Sequence, residues 1–402
     1  MADLGKDTDI VVVAYARTPF GRFEGQLAAL DGPTLGALAI DETLRRSGLA
    51  PDDVDALYGG VGMIGSAQLT PVRQAVLKSR LPETTPSASI DRACCSGLTA
   101  LGIAFKDLRL GEGRAVLAGG FESLSRTPLL MPRQRGARIG SFTLDDPLLL
   151  RGTVVDQPIS VYSGEESLRR GVDRAQQDEW AVRSHQRAGQ AEADGYFDPE
   201  RFAVTVPQAR GEPQVMRRDE SPRPDTTLDK LARLKPVYGG KTVTAGNAPG
   251  LNDGAAFLML TTRGFARERG LEPLARIADH AQVCGGPTSG TSTPASAVRR
   301  IEQRQGRRST DWHLIEINEA YAATPLVSTL TLADGDLALA QKLRERTNVH
   351  GGAVALGHPL GASGARIVMT LINGLRRRGG GLGVAAICGG FGQGDALMVE
   401  VA

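Results

Sequence analysis

Cysteine is scarce in this chain: four in 402 residues. That number does not make a disulfide framework in a protein of this size. Cys94, Cys95, Cys284 and Cys388 show no paired C-x-x-C spacing, so no metal site is expected and zinc least of all. Free thiols point to a reducing, cytoplasmic compartment. Charge of one sign is also missing. Forty-seven basic and 45 acidic side chains leave a formal charge of +2, which gives no reason to expect nucleic acid or an anionic membrane as partner. The arginine runs "LRRRGGG" (375–381) and "PRQRGAR" (132–138) have no aromatics interleaved, and they read as a solvated helix end and an exposed loop. No stretch is long and apolar enough to span a bilayer. The first residues show no basic segment followed by an apolar run, so no secretory leader is expected.

What is present is ordinary globular material, 41% hydrophobic and 23% charged. The length implies more than one domain. "DIVVVAYART" (9–18) reads as a buried strand, "PTLGALAIDETLRRSG" (33–48) as a helix stopped by glycine, and "VDALYGGVGM" (54–63) as a strand. "PSASIDRA" followed by "SGLTALGIAFKDLRLGEG" gives strand, sharp turn and helix, and "RAVLAGGFES" (114–123) gives another strand. Alternation of this kind predicts an α/β class with a largely parallel sheet.

The middle of the chain, 124–244, is richer in arginine, proline and turn signals. It reads as an insertion rather than another sheet-forming unit. Its clear helix is 173–195, with Asp173 as cap, Gln176 completing a capping box and Gly195 as the stop. "GEPQVMRRDESPRPDTT" (211–227) reads as an extended loop. The last third echoes the first. Ser-Gly, amphipathic helix, glycine-rich turn, apolar strand and Gly-Gly-Phe begin at Ser96 and again at Ser363. Two similar halves, packed face to face with matching loops meeting at one crevice, are expected. The divisions are 1–123 for the N-terminal half, 124–244 for the inserted loop domain, 245–273 for completion of the N-terminal half and 274–402 for the C-terminal half.

The repeat places reactive residues at matching points. Cys94 and Cys95 fall at a strand-to-helix turn, where the positive end of the helix dipole favours a thiolate. His358 falls in the corresponding turn of the second unit, and Cys388 ends the second unit's strand beside glycines. A cysteine and a histidine from facing loops are the parts of an activated thiol nucleophile. Sequence geometry alone does not choose between Cys94 and Cys95.

Taken together, "ARTPFG", "DRACCSGLTAL", "GGFESLSRTP", "TAGNAPGLNDGAA" (244–256), "EINEAYAA" (316–323), "GGAVALGHPLGASGAR" and "CGGFGQGDA" resemble, in order and spacing and over nearly the whole chain, the motifs of the thiolase family, the acetyl-CoA C-acyltransferases. The resemblance implies the thiolase fold, two α/β halves in a five-layer α/β/α/β/α arrangement, and an acyl transfer between coenzyme A thioesters. It also implies residue roles. Cys94 matches the nucleophile and Cys95 a small buried filler. His358 matches the histidine that activates the nucleophile, and Cys388 the acid/base at the acetyl carbon. Asn318 matches the residue that positions an oxyanion-hole water. The backbone N–H groups of Cys94 and Gly390 match a second oxyanion hole. Arg223 matches a residue at the adenine nucleotide end of coenzyme A, and Ala245, Pro249, Ala320 and Tyr321 match its pantetheine channel. Coenzyme A and acyl-CoA enter as substrates, no cofactor is permanently bound, and a homotetramer is implied, with 128–142 as a contact loop. Fatty acid metabolism is the implied setting.

Two places depart from the family pattern. Pro249 stands where a serine is common, which removes a hydroxyl that would bond pantetheine. Ile159, Ser160 and Val161 stand where a His-Met-Gly segment is common, in a stretch (156–168) read as a loop at the acyl pocket. Two alternatives remain at this point: a β-ketoacyl synthase-like condensing enzyme, against which Asn318 and Cys388 together argue, and an inactive thiolase-like protein that binds coenzyme A or lipid.

Overall fold

The computed structural model describes residues 6–64, 69–131, 140 and 143–402. The N-terminal part runs β1 (Ile10–Arg17), β2 (Gly21–Arg22), α1 (Gly32–Ser47), β3 (Ala56–Gly60), α2 (Pro71–Lys78), β4 (Ser87–Ile90), α3 (Ser96–Leu110) and β5 (Ala115–Ser123). The middle adds α4 (Ile159–Arg169), α5 (Arg174–Ala193), β6 (Val204–Val206), β7 (Gln214–Met216) and α6 (Leu228–Ala232). β8 (Asn252–Thr262) and α7 (Arg263–Glu268) return to the first half. The last part is β9 (Ala275–Cys284), α8 (Thr293–Gln305), β10 (Leu314–Ile317), α9 (Ala323–Leu332), α10 (Leu337–Arg346), α11 (Ala353–Leu356), α12 (Leu360–Arg377), β11 (Gly381–Gly389) and β12 (Gln393–Val401).

All the described strands except β6 and β7 form one sheet in the order β10-β11-β12-β9-β1-β8-β5-β3-β4, with β2 beside β8. It is two matching four-stranded parts, β3-β5-β8-β1 and β10-β11-β12-β9, joined where Ile10–Val12 of β1 pair with Ala275–Ile277 of β9, with β4 added beyond β3 at the edge of the first. The expected parallel character does not hold. Pairing is parallel between β3 and β4, β3 and β5, and β10 and β11, and antiparallel elsewhere in this sheet. The reason is topological. β12 follows β11 through a tight turn and can only return antiparallel. β8 comes back from the long insertion to lie antiparallel between β5 and β1.

Helices α3 and α12 pack on each other and on strands of both half-sheets. The outer faces are covered by α1 and α2 on one side and by α8 and α10 on the other. This is the five-layer arrangement, and strand alternation builds it. Ile10 and Val12 of β1 point into the central core with Leu98, Leu101, Ile367 and Leu371. Val11 points to the outer core with Leu35, Ile40 and Leu44. Strands covered on both faces read as unbroken apolar runs, as "IVVVAYA" does. Every residue of α12 from Leu360 to Leu375 is buried. A helix enclosed all round in this way belongs inside a domain rather than on its surface.

The capping-box reading of α5 holds: Gln176 N donates to Asp173 Oδ1 at 3.0 Å and Asp173 N to Gln176 Oε1 at 2.9 Å. Two readings of the middle segment change. Gln214–Met216, read as loop, pairs with Val204–Val206 as a hairpin, because Val204, Val206 and Met216 bury against the outer core of the first half. Residues 156–168, also read as loop, are mostly helix α4. Ile159, Val161 and the serines are poor helix formers. Tertiary contact overrides them: buried Glu166 accepts from Thr291 N at 2.7 Å and Ser292 Oγ at 2.8 Å and ties α4 to the start of α8. Of the expected contact loop 128–142, residues 132–139, 141 and 142 lie outside the described residues.

Candidate active site

The two copies of the repeat meet at the N-termini of α3 and α12. A Cβ on Gly97 would lie 2.3 Å from Gly361 O, and one on Gly364 would lie 2.3 Å from Leu98 N. Only glycine at these two positions lets the helices come this close. The loops just before the helices, one ending in Cys94 and the other in His358, are thereby brought to one cleft.

That cleft spans about 670 Å³ counting the solvent-open space at its mouth, and its wall includes Cys94, His358, Cys388 and Gly390. Pro249, Ala320 and Tyr321 line it as well. Asn318 stands behind His358, its Nδ2 3.5 Å from His358 Nε2. Arg223 and Ala245 do not form part of the cleft wall; both are exposed. Arg223 donates through its backbone N–H to His185 Nδ1 at 3.1 Å, which gives that histidine a structural partner.

The adjacent cysteines separate. Cys94 faces the cleft and is 8% exposed, whereas Cys95 is fully buried with its Sγ 3.5 Å from Ile387 O. The pair lies in the turn beyond β4, with Cys95 at the N-cap of α3, and that turn sends the two side chains to different sides. All four cysteines are free. Backbone strain marks both thiol loops. Ala93, directly before Cys94, has φ +50°, and Phe391, just after Cys388, has φ +59°. Each costs on the order of 1–2 kcal/mol for a residue other than glycine, and strain of this kind collects at functional loops.

The electrostatics differ from the expectation of a dipole-stabilised thiolate. Burial holds the Cys94 thiol well above its ordinary range, with Cys388 and Glu122 adding to the effect. Desolvation outweighs the helix terminus, so Cys94 rests as a neutral thiol and needs a base. Burial pushes Cys388 up to about 12, with Glu166 contributing. The same desolvation, with Arg366 nearby, pushes His358 down to about 3 and keeps it a neutral imidazole.

Two groups to which the sequence reading gave no role in the site hold His358, and a third braces the neighbouring Asn318 loop. His358 Nδ1 lies 2.6 Å from Ser363 Oγ, and that hydroxyl donates onward to Pro359 O at 2.8 Å. Ser363 therefore accepts from Nδ1–H, which leaves Nε2 bare and able to take a proton. Asn252 Oδ1 accepts the His358 backbone N–H at 2.9 Å. Glu319, buried, accepts from Trp180 Nε1, Ser184 Oγ, Asn348 Nδ2 and Val354 N at 2.7–3.1 Å and locks the Asn318 loop to α5 and α11. Ser363 was legible in principle, since it sits five residues after the histidine in "HPLGAS". Asn252 carries no local signal.

A neutral imidazole and two thiols lining one cleft have the residue types for nucleophilic acyl transfer with proton movement at carbon. The sequence model of the thiolase N-terminal domain matches residues 10–264, and that of the thiolase C-terminal domain matches residues 271–401. A probable acetyl-CoA acetyltransferase of Mycolicibacterium smegmatis is 39% identical over 97% of this chain and 100% of its own length. A beta-ketoadipyl-CoA thiolase of Pseudomonas knackmussii is 39% identical over 98% and 99%. The crystal structure of the Bacillus anthracis acetyl-CoA acetyltransferase superposes with a TM-score of 0.92 at 35% identity, covering 98% of this chain and 99% of that one. Human mitochondrial 3-ketoacyl-CoA thiolase superposes with a TM-score of 0.90 at 33% identity, over the same shares. Both halves match in order, and the relatives run the full length: the chain belongs to the thiolase family.

Proposed function

We propose that the protein is an acyltransferase that cleaves 3-ketoacyl-CoA with coenzyme A, or in reverse condenses two acetyl-CoA, through an acyl group on Cys94. The observation that carries this reading is the meeting of Cys94, His358 and Cys388 on one cleft wall. His358 Nε2 takes the Cys94 proton, and the thiolate adds to the C3 carbonyl. The C2–C3 bond breaks, its electron pair stays on C2, and the Cys388 S–H protonates that carbon to give acetyl-CoA. The proton on His358 passes to the Cys388 thiolate. His358 then takes the coenzyme A thiol proton, the coenzyme A thiolate takes the acyl group, and His358 hands the proton to the departing Cys94 thiolate, so the balance closes. Asn318, against His358, positions a water for the thioester oxygen. The N–H groups of Cys94 and Gly390 receive the oxyanion of the acyl transfer.

Pro249, Ala320 and Tyr321 are proposed to line the pantetheine channel, with Ala245 at its outer edge and Arg223 near the adenine nucleotide. Coenzyme A and acyl-CoA are substrates, with no resident cofactor. The protein works as a homotetramer in the cytoplasm, in fatty acid metabolism. Free cysteines support the compartment, and among the described residues no helix is long and apolar enough to cross a membrane.

Incubation with labelled acetyl-CoA, followed by peptide fragmentation, should place the acetyl group on Cys94. Cys94→Ala should lose both label and acetoacetyl-CoA cleavage, whereas Cys95→Ala should keep the label. Initial rates should show the parallel-line pattern of a ping-pong reaction. Label on Cys95, or no coenzyme A-dependent cleavage of acetoacetyl-CoA, would sink the reading.

A further inference from the structure

Two polar residues of the motifs that carry the thiols have no part in the proposed reaction: Arg92 in "DRACCSGLTAL" and Gln393 in "CGGFGQGDA". Arg92 stands shortly before Cys94 and Gln393 shortly after Gly390, far apart in the chain. In the fold they meet. Arg92 Nε donates to Gln393 Oε1 at 2.9 Å, and Gln393 Nε2 donates to Gly390 O at 3.1 Å. A line of side-chain hydrogen bonds thus runs from the turn that carries Cys94 to the turn that follows Cys388. Arg92 is itself fixed. Its Nη1 donates to the buried Asp395 carboxylate and to Thr99 Oγ1 at 3.1 Å, and Thr99 Oγ1 donates to Asp395 Oδ2 at 2.5 Å.

Each turn is held within its own half without this line. In the first, Arg92 N donates to Ser96 Oγ at 2.9 Å and Cys95 N to Arg92 O at 3.1 Å. In the second, Gly285 N donates to Gly392 O at 2.7 Å and Thr293 Oγ1 to Gln393 O at 2.8 Å. What the Arg92 guanidinium adds is a tie between the two. The backbones also come close there: a Cβ on Gly389 would lie 2.6 Å from Arg92 O and 3.0 Å from Cys95 Sγ. Gly390 is therefore bracketed, by close packing at Gly389 and by the Gln393 amide on its own carbonyl. Cys94 and Gly390 both line the cleft. The planar fork of arginine presents Nε to Gln393 and Nη1 to Asp395 at once, which a single ammonium cannot do.

We propose that Arg92 and Gln393 are positioning residues, and that the bond between them sets the spacing of Cys94 and Gly390 across the cleft. Through that spacing it sets the geometry of the two N–H groups that receive the oxyanion of acyl transfer. The proposal rests on the thiolase reading above. Donors of this kind act only where the transition-state oxygen will lie, so a small shift in one of the two turns is enough to weaken them.

The test uses the full chain and three variants: Arg92→Lys, Gln393→Met and the two together. Rapid quenching with acetyl-CoA and intact mass give the rate of Cys94 acetylation, and steady-state cleavage of acetoacetyl-CoA gives kcat and KM. Each single variant should acetylate about 10- to 100-fold more slowly, the range for catalytic donors moved out of place. The KM for acetoacetyl-CoA should not rise by more than about twofold, because the lost interaction belongs to the transition state. The double variant should be no slower than the slower single one, because both changes break the same tie. Two independent structural disturbances would instead multiply. Multiplying effects, a loss that appears only in KM, or acetylation at the wild-type rate in Gln393→Met would each overturn the proposal. Should Arg92→Lys fail to fold, Gln393→Met decides alone, since it leaves the Arg92–Asp395 pair intact and must still lose kcat without a rise in KM. If the wild type is not acetylated by acetyl-CoA, the thiolase reading fails rather than the tie.

Discussion

The two copies of the repeated unit share a frame and finish it differently. In the first, β5 runs into Gly120, Phe121 and Glu122, and the end is sealed: Phe121 is 1% exposed, and Glu122 accepts from Gly62 N at 2.7 Å and Gly361 N at 3.0 Å. In the second, β11 carries Cys388 at the cleft, and Phe391 turns out through a strained conformation to 39% exposure. The helices differ in the same sense. α3 leaves its far end at the surface, whereas α12 is enclosed for nearly its whole length. The first copy places Cys94 at the cleft and closes one side with the buried Glu122 carboxylate. The second places His358 and Cys388 there. A duplicated scaffold thus gives one cleft two different walls, which the proposed reaction uses, because its acid, base and nucleophile are different groups.

The sharpest way to break this comparison is to remove the thiol found only in the second copy. Cys388→Ala should still be acetylated by acetyl-CoA, since that exchange moves no proton at carbon. It should lose C–C cleavage by about 10²–10⁴-fold, the usual range for a positioned acid/base. Uptake of deuterium into the acetyl-CoA methyl group should collapse in parallel. Intact mass, thiolysis rate and deuterium uptake read the three properties. A folded variant that fails to acetylate would show that Cys388 supports the nucleophile instead.

The contact between the copies comes next. Gly364→Ala puts a methyl group 2.3 Å from Leu98 N, where backbone on both helices resists movement. Overpacking of this kind costs about 1–3 kcal/mol and sometimes more, and this site belongs at the upper end. Thermal unfolding should show the loss. Cleavage should fall too, because the Cys94 and His358 loops are held by the same contact. An unchanged midpoint would mean that the close approach does not hold the halves in place.

The smallest effect concerns the seal of the first copy. Burial pushes Glu122 up to about 7 from an ordinary 4.5. Between those values the folded chain holds a proton that the unfolded chain has released. The contribution to stability is therefore full below pH 4.5 and is lost as pH rises through 7, an effect of at most about 3 kcal/mol. Glu122→Gln keeps an oxygen for the two N–H groups and removes the titration. Urea midpoints at pH 5 and pH 8 should lie closer together in the variant than in the wild type. Equal spacing would show that Glu122 does not titrate in this window.

Much of the site could be read from the chain, and the reason is local. Cys94 and Cys388 sit at strand ends marked by glycines, and His358 sits in a turn before a helix, all visible as short-range pattern. The repeat from Ser96 and Ser363 was legible because two copies of one helix–strand unit keep the same apolar spacing. Helix α4 was not, since its helical state rests on Glu166 reaching Thr291 and Ser292 rather than on its own residues. The largely parallel sheet was misread because strand direction depends on where β8 returns, and nothing in its eleven residues records that.

Composition, periodicity and motif spacing were thus enough to determine the α/β character, the duplication and the residue types that meet at the cleft. Local pattern did not choose between the two adjacent cysteines; the family resemblance pointed to Cys94, and tertiary structure is what sets Cys94 on the cleft and buries Cys95. It also placed Ser363 and Asn252 on His358. The physical reason is range. Backbone propensity and hydrophobic period act over a few residues, whereas the direction of a side chain and its hydrogen-bond partner are set by elements distant in the chain that become neighbours only when the two halves pack.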